Sequence, residues 1–199
     1  MQASTADYAQ RPPSARQQQL LESAYRYALE HGLAELSLRP LAAAIGSSPR
    51  VLLYLFGSKD GLVRALLARA RTDQLELLEH AGSPSEQRDL SATVELVWRW
   101  LADETHRPLL GLWVEAYARS LVSPDALWAG FARQTVADWL TVLAAAQPPS
   151  RRKTKAGAAQ RTLALSVLRG ALLDLLATGD TDRTTRAVNQ HLATLRQIS

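Results

Sequence analysis

The 199-residue chain contains no cysteine, so neither a disulfide nor a thiolate-bound metal is available to it, which suits a reducing cytoplasm. Histidine is scarce as well. His31, His80, His106 and His191 are scattered, and none has the spacing of a metal-binding helix. No glycine-rich phosphate loop, nucleophile elbow or Walker segment occurs, and Glu115 with Arg119 reads as a surface ion pair rather than as catalytic groups. No apolar run approaches the ~20 residues needed to span a bilayer, and the N-terminus lacks the apolar core of a signal peptide. Strand patterning and internal repeats are missing too. These absences argue against an enzyme, a metal site, a bound cofactor and a membrane partner. An enzyme would need a catalytic constellation visible only in three dimensions. What remains is a cytoplasmic, all-α chain, 47% hydrophobic and able to bury a core.

Charge is modest overall but unevenly placed. The net value is +4, yet residues 11–72 hold nine Arg or Lys against four acids, while residues 73–199 hold fourteen of each sign. Within the basic stretch, residues 37–67 read as two short helices joined by a tight turn and followed by a longer one. Leu38, Leu41, Ala42 and Ile45 form one apolar stripe. Gly46 suits the left-handed end of that helix, and Ser37 is a plausible cap at its start. Ser48 and Pro49 suit the cap and first position of the next helix. There Leu52, Leu55 and Phe56 share one face, while Arg50, Leu53 and Tyr54 share the other. This is the layout of a helix-turn-helix, whose second helix enters the DNA major groove. A chance fluctuation of a few charges is the plain alternative for the basic excess, but its coincidence with the motif favours phosphate binding.

The stretch resembles the DNA-binding motif of the TetR family of one-component transcriptional regulators. It ends, as that motif does, in an aromatic residue, a short linker, Ser-Lys, an acid and an aliphatic helix start: Phe56, Gly57, Ser58, Lys59, Asp60, Leu62 and Val63. The match covers about a quarter of the chain closely. Two family-typical polar positions, a Tyr and a His, are Leu53 and Leu55 here, with Tyr54 between them. The resemblance implies a homodimer that binds double-stranded DNA, and a C-terminal domain that pairs through its last two helices as a four-helix bundle.

Arg50 is the expected base reader, because a guanidinium can bond guanine O6 and N7 together. Leu53 is expected to meet a thymine methyl, and Tyr54 either a phosphate or the interior of its own domain. Lys59, Arg39, Ser37 and Ser48, with Pro49 setting the start of the helix, are expected to position the phosphates. The domains expected are a disordered tail over residues 1–13, a helix-turn-helix domain over 14–60, and a helical effector and dimerisation domain over 61–199. Arg11 and Arg16 bracket the end of the tail, which either reaches the minor groove or touches nothing specific. A first helix from Ser14 to Gly32 carries Leu20, Leu21, Ala24, Tyr25, Ala28 and Leu29, with Leu33 and Leu36 completing the small core. A fourth helix, 61–81, links the two domains. Leu62, Val63, Leu66, Leu67 and Ala70 serve its first half, and Leu75 and Leu78 its second.

The second domain brings the expected total to about nine helices. A capping box at Ser83-Pro84-Ser85-Glu86 opens the fifth, with Leu90, Val94, Val97 and Leu101 on one face. The sixth follows Pro108, and Ser123-Pro124 opens a seventh that carries Trp128 and Phe131. Residues 147–157, with their Arg151-Arg152-Lys153 run, read as an exposed flexible loop. The last two helices offer Leu168, Leu172, Leu175, Val188, Leu192 and Leu195, either as the dimer interface or as core of their own subunit. All five tryptophans lie in this domain. Trp98, Trp100, Trp113, Trp128 and Trp139, with Tyr117 and Phe131, either line a pocket for a small apolar or aromatic effector or simply pack the core. Glu115, His106 and Asp174 are the polar candidates beside it. The function expected is a ligand-responsive repressor on a pseudo-palindromic operator. The alternative is a helical adaptor that keeps the motif as scaffold without binding DNA.

Overall fold

A computed structural model describes residues 14–33, 36–81, 89–122 and 128–198, and these hold ten α-helices, one 3-10 turn and no strand. The chain divides into two compact units, residues 1–69 and 70–199.

The first unit is built by its caps. The Ser14 hydroxyl accepts the Gln17 N–H at 3.2 Å and starts α1, Ala15–His31, which Gly32 ends at φ 76°. Helix α2 is Leu38–Ala44. Ser37 holds its cap position through the backbone alone, since its side chain makes no cap hydrogen bond. Gly46, at φ 64°, turns the chain into α3, Pro49–Phe56, where Ser48 Oγ accepts the Val51 N–H at 3.3 Å. After Gly57 the chain enters α4, Lys59–Ala81. Leu20, Ala24, Tyr25, Leu41, Leu52 and Leu66 are buried together with Leu62 as the core of this unit. That set is the apolar stripe of each helix read from the sequence, and burying it is what fixes the short helices α2 and α3, too short to persist alone.

The second unit comprises the rest of α4 with α5, Leu90–Leu101, α6, Arg107–Val122, α7, Phe131–Ala145, α8, Pro149–Arg152, α9, Lys155–Thr178, and α10, Thr181–Ile198. Helix α5 is capped by Asp89, whose carboxylate accepts the Ala92 N–H at 2.8 Å and is held below the usual carboxylate range chiefly by that bond. The box at Ser83 to Glu86, the Ser123-Pro124 start, the tail over 1–13 with Arg11, and the side chains of Leu75, Leu78 and His80 lie outside the described residues. Helix α7 begins only after Gly130, at φ 78°, so Trp128 sits in the turn before it and not on the helix.

Two sequence expectations change here. Residues 147–157 are not an open loop but a hydrogen-bonded corner that contains α8, one helix more than the nine expected, and the start of α9. Gln147 is buried, its amide donates to the Gly157 carbonyl at 3.1 Å, and its carbonyl oxygen receives Arg161. Arg152 closes the corner on the Ala145 carbonyl at 3.0 Å. Most of its polar side chains are exposed, as expected, but the buried Gln147 and its partners give the segment a fixed form.

The second change concerns the dimer candidates. Leu168, Leu172, Leu175, Val188, Leu192 and Leu195 are at most 5% exposed and belong to the unit's own core, with Val94, Val97, Trp98 and Leu143. The apolar stripes of α9 and α10 face inward, against α5, α7 and each other. The outward side of α9 instead leaves Leu163 and Leu173 more than half exposed, with Ser166 and Gly170 between them at helical spacing.

Candidate nucleic-acid interface and effector cleft

The outer face of α3 is fixed from below. Leu52 anchors the helix with no exposed surface, and Gln17 Nε2 of α1 donates to the Leu55 carbonyl at 3.0 Å near its end. That second tether has no sequence signature, because Gln17 reads as one polar position among several on α1. With the inner face held, Tyr54 is 86% exposed and Leu53 42%, and Arg50 is exposed beside them. Tyr54 therefore does not pack inward. Among the described residues Arg50 makes no ion pair, so its guanidinium is free for an external acceptor. Ser37, Arg39 and Lys59 are exposed at the starts of α2 and α4, and the exposed Ser48, whose Oγ accepts the Val51 N–H as the cap of α3, keeps its own O–H as a donor. The result is a protruding helix with one cation, one phenol and two aliphatic side chains, Val51 and Leu53, on its open side, bordered by further cations.

In the second unit an apolar cleft lies among α5, α6, α7 and α9, and the start of α4 within this unit reaches it through Ala70. Counted to its open mouth it spans about 520 Å³, and its enclosed core is about 30 Å³, room for a water or two. Of the five tryptophans, Trp100, Trp113 and Trp139 line it. Leu109, Leu165 and Leu172 complete much of the wall. The other sequence candidates lie elsewhere. Trp98 is buried toward α10, where its Nε1 donates to Thr185 Oγ1 at 3.0 Å. His106 stacks on the ring of Trp100, centroids 4.0 Å apart, and so backs the cleft without lining it. Glu115 pairs with Arg119 at 3.4 Å, and Arg119 lies over the Trp128 ring. Phe131 does not line the cleft, and Asp174 is held by Arg183 at 2.6 Å.

Arg169 of α9 is the charged residue among the described lining residues. Its Nη1 donates to the Tyr117 hydroxyl at 3.1 Å, and its guanidinium lies 5.0 Å from the centre of the Tyr117 ring, which in turn stacks with Trp113. Tyr117 thus adjoins the cleft through Arg169. Burial pushes the arginine below its ordinary pKa, though a guanidinium stays charged in a protein. Among the described residues no group of three or more His, Cys, Asp or Glu could hold a metal.

Helix α4 runs unbroken from Lys59 to Ala81, and an arginine on either side of Ala70 holds it within each unit. Arg69 Nε donates to Glu22 of α1 at 2.7 Å and its guanidinium lies 5.0 Å from the Tyr25 ring centre, both in the first unit. Arg71 pairs with Asp138 of α7 at 3.0 Å in the second.

Comparison with known proteins agrees with this architecture. Residues 20–66 match the family model described as bacterial regulatory proteins, tetR family. The HTH-type transcriptional regulator BetI of Rhizobium meliloti (strain 1021) is 27% identical over 114 residues, which are 55% of this chain. The match spans only 54% of that relative's length. A solved transcriptional regulator from Rhodococcus sp. Rha1 superposes with a TM-score of 0.72 at 20% identity, covering 91% of this chain and 96% of that one. The multidrug binding protein EbrR, solved in complex with imidazole, gives 0.63 at 23% identity, covering 88% and 89%. At such identities the two structures establish a shared fold.

Proposed function

Since the chain carries the DNA-binding domain of the TetR family of bacterial transcriptional regulators, we propose that it is a cytoplasmic, ligand-responsive repressor that binds a pseudo-palindromic operator as a homodimer. The observation that carries the reading is the open face of α3, where Arg50, Leu53 and Tyr54 project from a helix anchored on its other side by the buried Leu52. Such a face suits the major groove: Arg50 reads guanine, Leu53 meets a thymine methyl, and Tyr54, Arg39, Lys59 and Ser37 hold phosphates. One short helix reads too few bases alone, so a second copy on the next half-site, about 34–36 Å along the duplex, completes the operator. The uncovered stripe Leu163, Ser166, Gly170 and Leu173 on α9 is the surface through which two copies pair, since small residues let the helices approach closely. The effector enters the cleft beside Trp100 and Trp113, and α4, tied to both units, carries the displacement to the reading helix.

Sedimentation of the purified protein, alone and with a duplex carrying its operator, tests this reading. The expected species are a dimer and a complex of two chains per duplex. A folded chain that sediments as a monomer and ignores DNA would instead support an adaptor role, the reading that Leu53 and Leu55 at family-typical polar positions would favour.

A further inference from the structure

Resting on that reading of the cleft as the effector site, we propose that the effector is a monocarboxylate with an apolar or aromatic body, its carboxylate bound side-on by Arg169. Three observations converge on it. First, the surface the cleft presents is apolar, with three tryptophans among its lining residues, so the body of the ligand is apolar. Second, Arg169 Nε and Nη2 are sealed from solvent and have no hydrogen-bond partner among the described residues. Buried polar atoms are nearly always paired, and a guanidinium with two of its three nitrogens unpaired calls for a partner from outside the described residues. Third, the two vacant donors are the pair that matters. Nε–H and the nearer N–H of Nη2 point the same way and match the two oxygens of one carboxylate, while Nη1 is taken by Tyr117.

The rest of the site narrows the class. No second cation is among the described lining residues, so a single negative charge balances the site and a phosphate dianion leaves it overcharged. A neutral carbonyl would offer a single oxygen and no charge, whereas a carboxylate matches both Arg169 donors. The small enclosed volume means that a ligand parts the wall as it enters. Trp100, Trp113 and Leu109 are the half-buried residues there, and their movement brings the apolar body to the two donors just beneath the surface.

The probes are 2-naphthoate with its amide, 2-naphthamide, and decanoate with decanol, titrated into the full chain and read by tryptophan fluorescence and calorimetry. At least one carboxylate is expected to bind about tenfold or more tighter than its neutral partner, the scale of one charge-assisted bidentate contact. Arg169→Gln should erase that preference while leaving neutral-probe affinity within about twofold. Tyr117→Phe, which frees Nη1 and keeps the ring, should retain it even if the first variant folds poorly. Equal affinity within both pairs, no binding of either carboxylate at millimolar concentration, or a preference that survives Arg169→Gln would overturn the proposal. Operator binding without any probe, measured on the same samples, tests the regulator reading separately.

Discussion

At the scale of single residues, the DNA face depends on the division between side chains that read and side chains that hold. Arg50 sits on the open side of α3 with no ion-pair partner among the described residues, and Lys59 stands at the first position of α4, after the turn. A bidentate base contact is worth about 1–3 kcal/mol of discrimination, whereas a phosphate contact adds affinity for every sequence alike. Arg50→Ala should therefore narrow the gap between operator and random duplex by about that amount. Lys59→Ala should weaken both equally and reduce the slope of log affinity against log salt by about one. Fluorescence anisotropy across a salt series separates the two, and equal losses on operator and random DNA for both variants would sink the assignment. Arg169 shows the opposite limit of legibility. In sequence it is one arginine on an apolar helix, indistinguishable from a solvated one, and only the fold shows it beneath a hydrophobic wall.

At the scale of elements, two helices begin by the same device. Ser58 Oγ accepts the Gly61 N–H at 2.9 Å, and Thr154 Oγ1 accepts the Gly157 N–H at 3.0 Å. In both, the chain folds back so tightly that a Cβ on the glycine would lie 2.0 Å from the Phe56 carbonyl oxygen and 2.1 Å from that of Arg151. Gly61→Ala must therefore push the end of α3 away. It should destabilise the first unit by about 1–3 kcal/mol, the cost of overpacking, and weaken operator binding with it. Gly111→Ala in α6 meets nothing within 4 Å and should be neutral or slightly stabilising. Urea titration followed by circular dichroism compares them. The apolar stripes of α9 and α10 give a second contrast. Leu192→Ala should cost about 2–5 kcal/mol and leave the oligomeric state alone, because the side chain is core. Leu173→Arg should separate the dimer and leave each chain folded. The converse pattern in sedimentation and melting would return the interface to the buried stripes.

The same elements show what could be read without coordinates. Local chemistry was visible: Ser14, Gly32, Gly46, Ser48 and Pro49 mark helix ends because capping depends on neighbours three or four residues away. Periodicity also separated the inner face of α3 from its outer one. The partner of a buried face was not visible, since a leucine stripe has the same period whether it meets its own subunit or another. This is why Leu168 and Leu192 were open to both readings and the exposed Leu163 and Leu173 went unmarked. Corner α8 was hidden for a related reason. Its polar side chains bond across the corner over five to fourteen positions, beyond any local pattern.

At the scale of the whole molecule, the chain keeps two tasks in two compact units. The basic excess and the exposed reading helix belong to the first, and the aromatic cleft with its buried cation to the second. Helix α4 belongs to both, gripped by Glu22 and Tyr25 through Arg69 and by Asp138 through Arg71. A ligand that shifts α4 in the second unit can change DNA affinity only by as much as it distinguishes the two positions of that helix. Sequence-specific recognition by a pair of such chains is the central claim. Selection of bound sequences from random duplex DNA by the purified protein, at near-physiological salt, measures this most directly. The predicted result is a two-fold-symmetric motif with half-site centres about one helical turn, or a multiple of it, apart. Recovery of no enriched sequence by a folded, dimeric protein would contradict it.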